Sequence, residues 1–372
     1  MKRYIVDKIK DGAVIYFFIR YTEDMTIMVL PTKYLTHRTR AKASPNTVKR
    51  IAFSISYYMI YAESRDIGLE KILQLPYDKQ HSHFTDFLQW LKHGRHNENR
   101  NKKLPNNFTC NTYLRDVFGW FQFLDIQYKQ FGKLKVLSDK TVSFNNSVGI
   151  RLSVTHKSFE GYLKEGGHKG RTIEKEKIVT LLEACVNCRD QLLLLMLGET
   201  GFRIGELLGV RYTKDIDFDD RTVKVEYRED NDNETRAKYA ENRRAKMSKE
   251  TFEILIFYLS ENRELLKDGE FLFVNISGDN IGKPEKVDTV YAMLERLQKK
   301  TGIKATPHML RHYFANERYK NGWDILLISK ALGHKNISTT VGYLDVNVDR
   351  LSKATDEFYE KNKSIYMLDK LM

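Results

Sequence analysis

A mixed, mainly α fold is predicted, in which a helical domain precedes an α+β domain with a small antiparallel sheet. Three observations predict it. Apolar residues recur at helical spacing from Pro45 to about Phe131, and again from Ile173 onward. Segments of β type are confined to the first thirty residues and to the stretch Ile216–Met247. At 372 residues the chain is also longer than one ordinary core supports, so at least two domains are expected.

In chain order, residues 1–44 read as a β-rich N-terminal segment. Tyr4-Ile5-Val6 leads to the turn signal Asp11-Gly12. Ala13 to Ile19 and Thr26 to Leu30 read as further strands, the last stopped by Pro31. Lys33, Arg38, Arg40 and Lys42 make the following stretch a solvated basic connector. Residues 45–135 form the helical domain. Its first helix carries Val48, Ile51, Ile55, Tyr58 and Met59 and reaches about Ala62. A second runs from near Asp78 to Leu91, and a third from Asn111 to Phe131, with the apolar-free loop Lys92–Lys103 between them. Residues 136–171, with five glycines and a basic bias, read as the linker. Residues 172–348 form the second domain, opening on Thr172 as an N-cap. Residues 349–372 are a charged tail in which Ile365, Leu368 and Leu371 share one helical face.

The composition, 41% hydrophobic and 30% charged, belongs to a globular protein. The longest aliphatic run, Leu192–Leu197, fits a buried helix and is far too short for a membrane span. Met1-Lys2-Arg3-Tyr4 leads into nothing like a signal peptide, so a cytoplasmic protein is expected. Cys185 and Cys188 form a C-x-x-C, but the one other cysteine is Cys110, so reduced thiols on a helix are expected and not a zinc site. Net charge is +13 and is uneven. Residues 1–171 carry 29 Lys+Arg against 15 Asp+Glu, and residues 172–372 carry 33 against 34. A segment with that bias would bind a polyanion through phosphate contacts and counterion release, although charge alone does not decide it. The bland alternative is a basic protein that merely stays soluble.

Four segments of the second half carry chemistry. In Thr200-Gly201-Phe202-Arg203-Ile204-Gly205-Glu206, an arginine sits between glycines that permit close backbone approach. Glu206, three residues on, can orient its guanidinium. Ile216-Asp217-Phe218 and Val223-Lys224-Val225 flank Asp220-Arg221 as a hairpin, with a third strand near Arg243–Met247 and Lys238 in the connection. In Thr306-Pro307-His308-Met309-Leu310-Arg311-His312, Thr306 caps a helix, Pro307 suits its first turn, and His308 and Arg311 share a face near an end that favours phosphate. In Leu332-Gly333-His334, Gly333 ends a helix, and Tyr343 follows one short helix later.

This ordered set resembles the catalytic domain of the tyrosine recombinase (phage integrase) family, over residues 172 to about 348. Within that family the chain looks most like transposases of mobile elements. Residues 45–130 resemble the family's core-binding domain, a DNA clamp, by length and period. The resemblance implies Arg203, Lys238, His308, Arg311, His334 and Tyr343 as the active site. Arg236, Arg243 and Arg244 are implied as phosphate contacts, and Lys224, Lys246 and Lys249 compete with Lys238 for its place. It implies attack by Tyr343 on a phosphodiester, a 3′-phosphotyrosyl intermediate, and resolution by a 5′-hydroxyl of a partner strand. No cofactor or metal is implied, since five cationic side chains do a metal's work. The implied partners are double-stranded DNA and three further copies, a homotetramer on two DNA sites that can include partner recombinases, without a membrane. The tail would dock on a neighbouring protomer or fold back on its own domain. Residues 1–44 would bind accessory DNA, or pair with the helical domain or with a partner protein. Two alternatives stand beside this reading: a type IB topoisomerase, and a DNA-binding regulator with a dead active site.

Overall fold

Alternation along the first twenty residues closes into an antiparallel hairpin in the computed structural model, which describes residues 3–12, 14–97, 103–128, 132–145, 148, 151–166, 170–226, 228, 242–344, 357 and 360. Strands β1 (Tyr4–Asp11) and β2 (Val14–Tyr21) pair from Tyr4↔Tyr21 to Asp11↔Val14. Period-2 spacing puts Ile15, Phe17 and Ile19 on the buried face of β2. The chain as a whole divides into two compact units, Met1–Gly167 and His168–Met372.

After β2 the expectation of a third strand and a basic connector is corrected. Only one bridge forms, Arg20↔Ile27, and helix α1 (Val29–Arg40) follows at once. Pro31 does not stop a strand. It occupies the first helical turn, where a missing N–H is harmless. Tyr34 and Leu35 go into the core while Arg38 and Arg40 complement the helix C-terminus. Helix α2 (Pro45–Ser64) is capped by Ser44, whose hydroxyl accepts from the Thr47 N–H at 3.3 Å, and buries the expected face from Val48 to Tyr58. Helix α3 (Leu69–Gln74) is an unforeseen short turn. Helix α4 (Tyr77–Lys92) buries Phe84, Phe87, Leu88 and Leu91. Helix α5 (Asn107–Gln127) starts four residues before the expected Asn111, because Asn106 accepts from the Thr109 N–H at 2.8 Å.

One hydrophobic core joins β1, β2 and helices α1 to α5, so the N-terminal strands pack on the helical bundle. Residues 136–171 are also more than a linker. Strands β3 (Asp139–Asn145) and β4 (Arg151–Lys157) form a second antiparallel hairpin. Val136, Leu137 and Phe159 are buried in the first core. Asn111 ties Leu163 down through both its backbone groups, at 3.0 and 2.8 Å.

In the second unit, α6 (Lys175–Ala184) begins three residues after Thr172, with Glu174 at the N-cap, because Ile173 is drawn into the core as an extended lead-in. Helix α7 (Cys188–Thr200) is the core helix, with Leu192, Leu193, Leu194, Met196 and Leu197 fully buried. Cys185 and Cys188 flank the α6–α7 turn as free thiols, Cys185 outside either helix. After α8 (Ile204–Leu207) comes the expected sheet, β5 (Ile216–Asp217), β6 (Thr222–Val225) and β7 (Arg243–Lys246), antiparallel in that order. Helices α9 (Lys249–Glu261), α10 (Arg263–Leu266), α11 (Val287–Thr301), α12 (Pro307–Lys320), α13 (Ile325–Leu332) and α14 (Ile337–Val341) follow among the described residues. Among the described residues no helix is long and apolar enough to cross a membrane.

Candidate active site

The site lies within the second unit, where three helix ends meet. Helix α7 ends on Gly201 in the left-handed region (φ +64°), and a Cβ there would lie 2.6 Å from the Phe314 ring. That turn delivers Arg203 as the N-cap of α8. Glu206, 1% exposed, accepts from the Arg203 backbone N–H at 2.8 Å and from its Nη1 at 2.9 Å. The expectation that Glu206 orients Arg203 thus holds in atomic terms. The same carboxylate also takes a short bond from Arg243 on β7. Strand alternation turns Arg243 inward and Arg244 outward. Arg243 is therefore buried and paired, not a free phosphate contact. Its guanidinium packs over Phe202 and against Gly333, where a Cβ would lie 1.6 Å from Nη1.

Helix α12 begins as the sequence predicts, with Thr306 accepting from the Met309 N–H at 3.2 Å and Pro307 in the first turn. It presents His308, Arg311 and His312. Arg311 is 1% exposed. It donates to the carbonyls of Gly201 at 2.5 Å and Leu332 at 2.6 Å, and to His334 Nε2 at 2.9 Å. Burial, then the neighbouring Arg203 charge, lowers its pKa to about 10, so it keeps its proton at neutral pH. Helix α13 ends on Gly333 (φ +63°), as expected, and sets His334 beside Arg311. Tyr343 follows α14. Its hydroxyl lies 3.2 Å from His308 Nε2, and its ring lies 6.0 Å from the Arg311 guanidinium.

The histidines do not carry the positive charge expected of them. A guanidinium can only donate, so His334 Nε2 must be the unprotonated nitrogen. Its Nδ1–H then donates to Thr340 Oγ1 at 2.9 Å. Burial and the charges of Arg311, Arg203 and Arg243 push its pKa down to about 3. His308 is lowered in the same direction, by desolvation and then by Arg311 and Arg203. The arginines supply the cations here, and the histidines are neutral hydrogen-bonding groups.

The fold thus brings Arg203, His308, Arg311, His334 and Tyr343 together. Lys238 lies outside the described residues, as do Arg236, the tail side chains Ile365, Leu368 and Leu371, and Tyr359 and Tyr366. One further neighbour, His312, stands inside the α12 motif without having been singled out from the sequence. It is buried, with its ring 3.7 Å from the Tyr343 ring and 18° from parallel. Its place at i+4 from His308, on the same helical face, was the available signal.

Neutral histidines, one buried and one half-buried, make stability depend on pH. The folded-state pKa values of His334 (about 3) and His312 (about 4) lie below the ordinary value of 6.5. Stability from keeping these rings neutral is fully present above that ordinary value and is lost as pH falls toward the folded values. Between pH 6.5 and about 5, unfolding free energy should fall with pH, and His312→Phe should reduce the slope by up to about one proton. Denaturant melts across that window check this, and an unchanged slope would contradict it.

Residues 171–350 match the model of the Phage integrase family. Transposase A from transposon Tn554 of Staphylococcus aureus is 26% identical over 339 residues, 89% of this chain and 91% of that protein. Tyrosine recombinase XerA of Saccharolobus solfataricus is 32% identical over 181 residues, 49% of this chain and 54% of that protein. Two solved structures share the fold. The Tn1549 transposon integrase in complex with transposon right end DNA gives a TM-score of 0.59 at 16% identity, over 89% of this chain and 98% of that one. The XerH site-specific recombinase bound to palindromic difH substrate gives 0.58 at 18% identity, over 91% and 85%.

Proposed function

Because the chain belongs to the phage integrase family of tyrosine recombinases, we propose that it cleaves and rejoins the DNA of a mobile element through a covalent bond to Tyr343. The observation that carries this reading is the approach of the Tyr343 hydroxyl to neutral His308, beside the buried guanidinium of Arg311. The free chain can pass a proton there: the phenol donates to His308 Nε2, which then acts as base as the oxygen attacks phosphorus. A phenol, with pKa ~10, needs such a base and nearby cations to react at neutral pH. Arg203 and Arg311 clamp the non-bridging oxygens as charge develops on them, and such preorganised charge usually contributes most to catalysis. His334, fixed by Thr340, accepts from the Arg311 guanidinium and so helps to hold it in place. The 3′-phosphoryl group stays on Tyr343, the 5′-oxygen leaves, and a 5′-hydroxyl of another strand reverses the step. Bond energy is kept in the tyrosyl link, so no nucleotide is consumed.

Exchange of both strands at two sites needs four cleavages. With one Tyr343 per copy, four copies form the active assembly on double-stranded DNA. The experiment that tests the reading is to trap the protein covalently in cells carrying its flanking DNA and to sequence what is joined. Junctions between two separate sites are expected. Relaxation of single duplexes without joining would favour the topoisomerase alternative instead.

Cleavage of a target duplex should persist in excess EDTA, since guanidinium groups take the role of a Lewis acid. Complete loss restored by Mg²⁺, with folding unchanged, would contradict it. Lys238 is assigned the proton delivered to the leaving 5′-oxygen. Lys238→Ala should slow cleavage by ~10²–10⁴-fold, and a 5′-bridging phosphorothioate should restore it, because a thiolate leaves without a proton. Rescue of Lys224→Ala instead would move the role to that lysine.

A further inference from the structure

Tyr343 needs support that its own segment does not supply. It follows a helix of five residues, Ile337–Val341, and stretches that short hold no fixed geometry by themselves. Beside the α13 residues Ile328 and Leu332, the support comes from one face of α12. The His312 ring lies flat against the Tyr343 ring, with centroids 3.7 Å apart and planes at 18°. Asn316, one turn further along, donates to the Tyr343 carbonyl at 2.9 Å and to the His312 carbonyl at 2.9 Å. His308, one turn earlier, meets the hydroxyl. One helix thus touches the nucleophile at ring, backbone and oxygen.

The His312 ring is itself seated by backbone. A Cβ built on Gly170 would lie 2.0 Å from His312 Cε1 and 2.6 Å from Nδ1, so only glycine leaves the ring its place. Nδ1 of His312 makes no hydrogen bond among the described residues. Its closest aromatic contact is with the phenol ring, while the phenol hydroxyl is bonded to His308. These facts suit a platform better than a proton carrier.

We propose that His312 and Asn316 are positioning residues for the nucleophile, and that Gly170 sets the seat of the His312 ring. This rests on Tyr343 being the nucleophile. The effect acts on orientation, where a misplacement of about 1 Å can cost ~10²-fold in rate.

The test is single-turnover adduct formation by the full chain on a nicked suicide duplex of its target, with DNA affinity and melting temperature measured alongside. His312→Ala should bind DNA as wild type does and form adduct ~10–100-fold more slowly. His312→Phe keeps a flat ring and should recover most of the rate, with the wild-type pH profile. Gly170→Ala should fold and be slow. A wild-type rate for His312→Ala would overturn the proposal. So would a His312→Phe variant as slow as the alanine with an altered pH profile, since that marks a proton carrier. If His312→Ala does not fold, the Phe and Gly170→Ala variants decide: a Gly170→Ala enzyme of wild-type rate overturns it. A wild-type chain that forms no adduct would instead sink the assignment of Tyr343 itself.

Discussion

Tyr343→Phe is expected to abolish covalent attachment to DNA while leaving folding and DNA binding intact. The substitution removes one oxygen and keeps the ring that stacks on His312 and packs beside the Phe314, Ile328 and Leu332 cluster. The hydroxyl bonds to His308, which is half-exposed and can turn to water once the oxygen is gone. The cationic side chains stay in place, because Arg203 is held by Glu206 and Arg311 by two backbone carbonyls. On a nicked suicide duplex the variant should give no adduct at any time, with DNA affinity and melting temperature close to wild type. Residual adduct at a measurable rate would transfer the nucleophile elsewhere.

Arg311→Lys should have the second-largest effect, and it should strike both chemistry and stability. One ammonium cannot reproduce the fork that reaches Gly201, Leu332 and His334 together. Loss of a preorganised donor to the developing oxyanion costs ~10²–10³-fold in rate. Each buried carbonyl left without its donor costs about 1–3 kcal/mol. Adduct formation should therefore fall by at least ~10²-fold, and denaturant melts should shift downward together with it. A variant that melts like wild type would show that Arg311 does not hold the Gly201 and Leu332 turns in place. One that cleaves like wild type would remove it from the chemistry.

Much of this site was legible because its residues sit at positions the backbone itself marks. Gly201 and Gly333 adopt left-handed conformations that end α7 and α13, and Thr306 with Pro307 starts α12. Helix and turn signals in the sequence therefore marked the segments that hold Arg203, His308, Arg311 and His334, and the resemblance to the tyrosine recombinase family implied their roles. Charge states were not legible. His334 is neutral because it is half-buried beside guanidiniums, and that depends on distances across the fold. Arg243 likewise was implied as a phosphate contact, whereas β7 turns it toward Glu206. In the first unit, Pro31 misled, since proline marks a strand's end and a helix's first turn alike. The hairpin β3–β4 was hidden by glycines and lysines that also suit a linker, although Thr141-Val142-Ser143-Phe144 alternates as a strand does.

The most direct measurement is to identify the residue joined to DNA. Wild-type protein trapped on a nicked target duplex would be digested with trypsin and the nucleotide-bearing peptide sequenced. Cleavage after Lys335 and Arg350 isolates Tyr343 from every other tyrosine of the chain. A phosphotyrosyl group on Tyr343 is expected in the peptide from Asn336 to Arg350, linked to a 3′-phosphate. A phosphotyrosyl peptide containing Tyr359 or Tyr366, or a link to a 5′-phosphate, would contradict it.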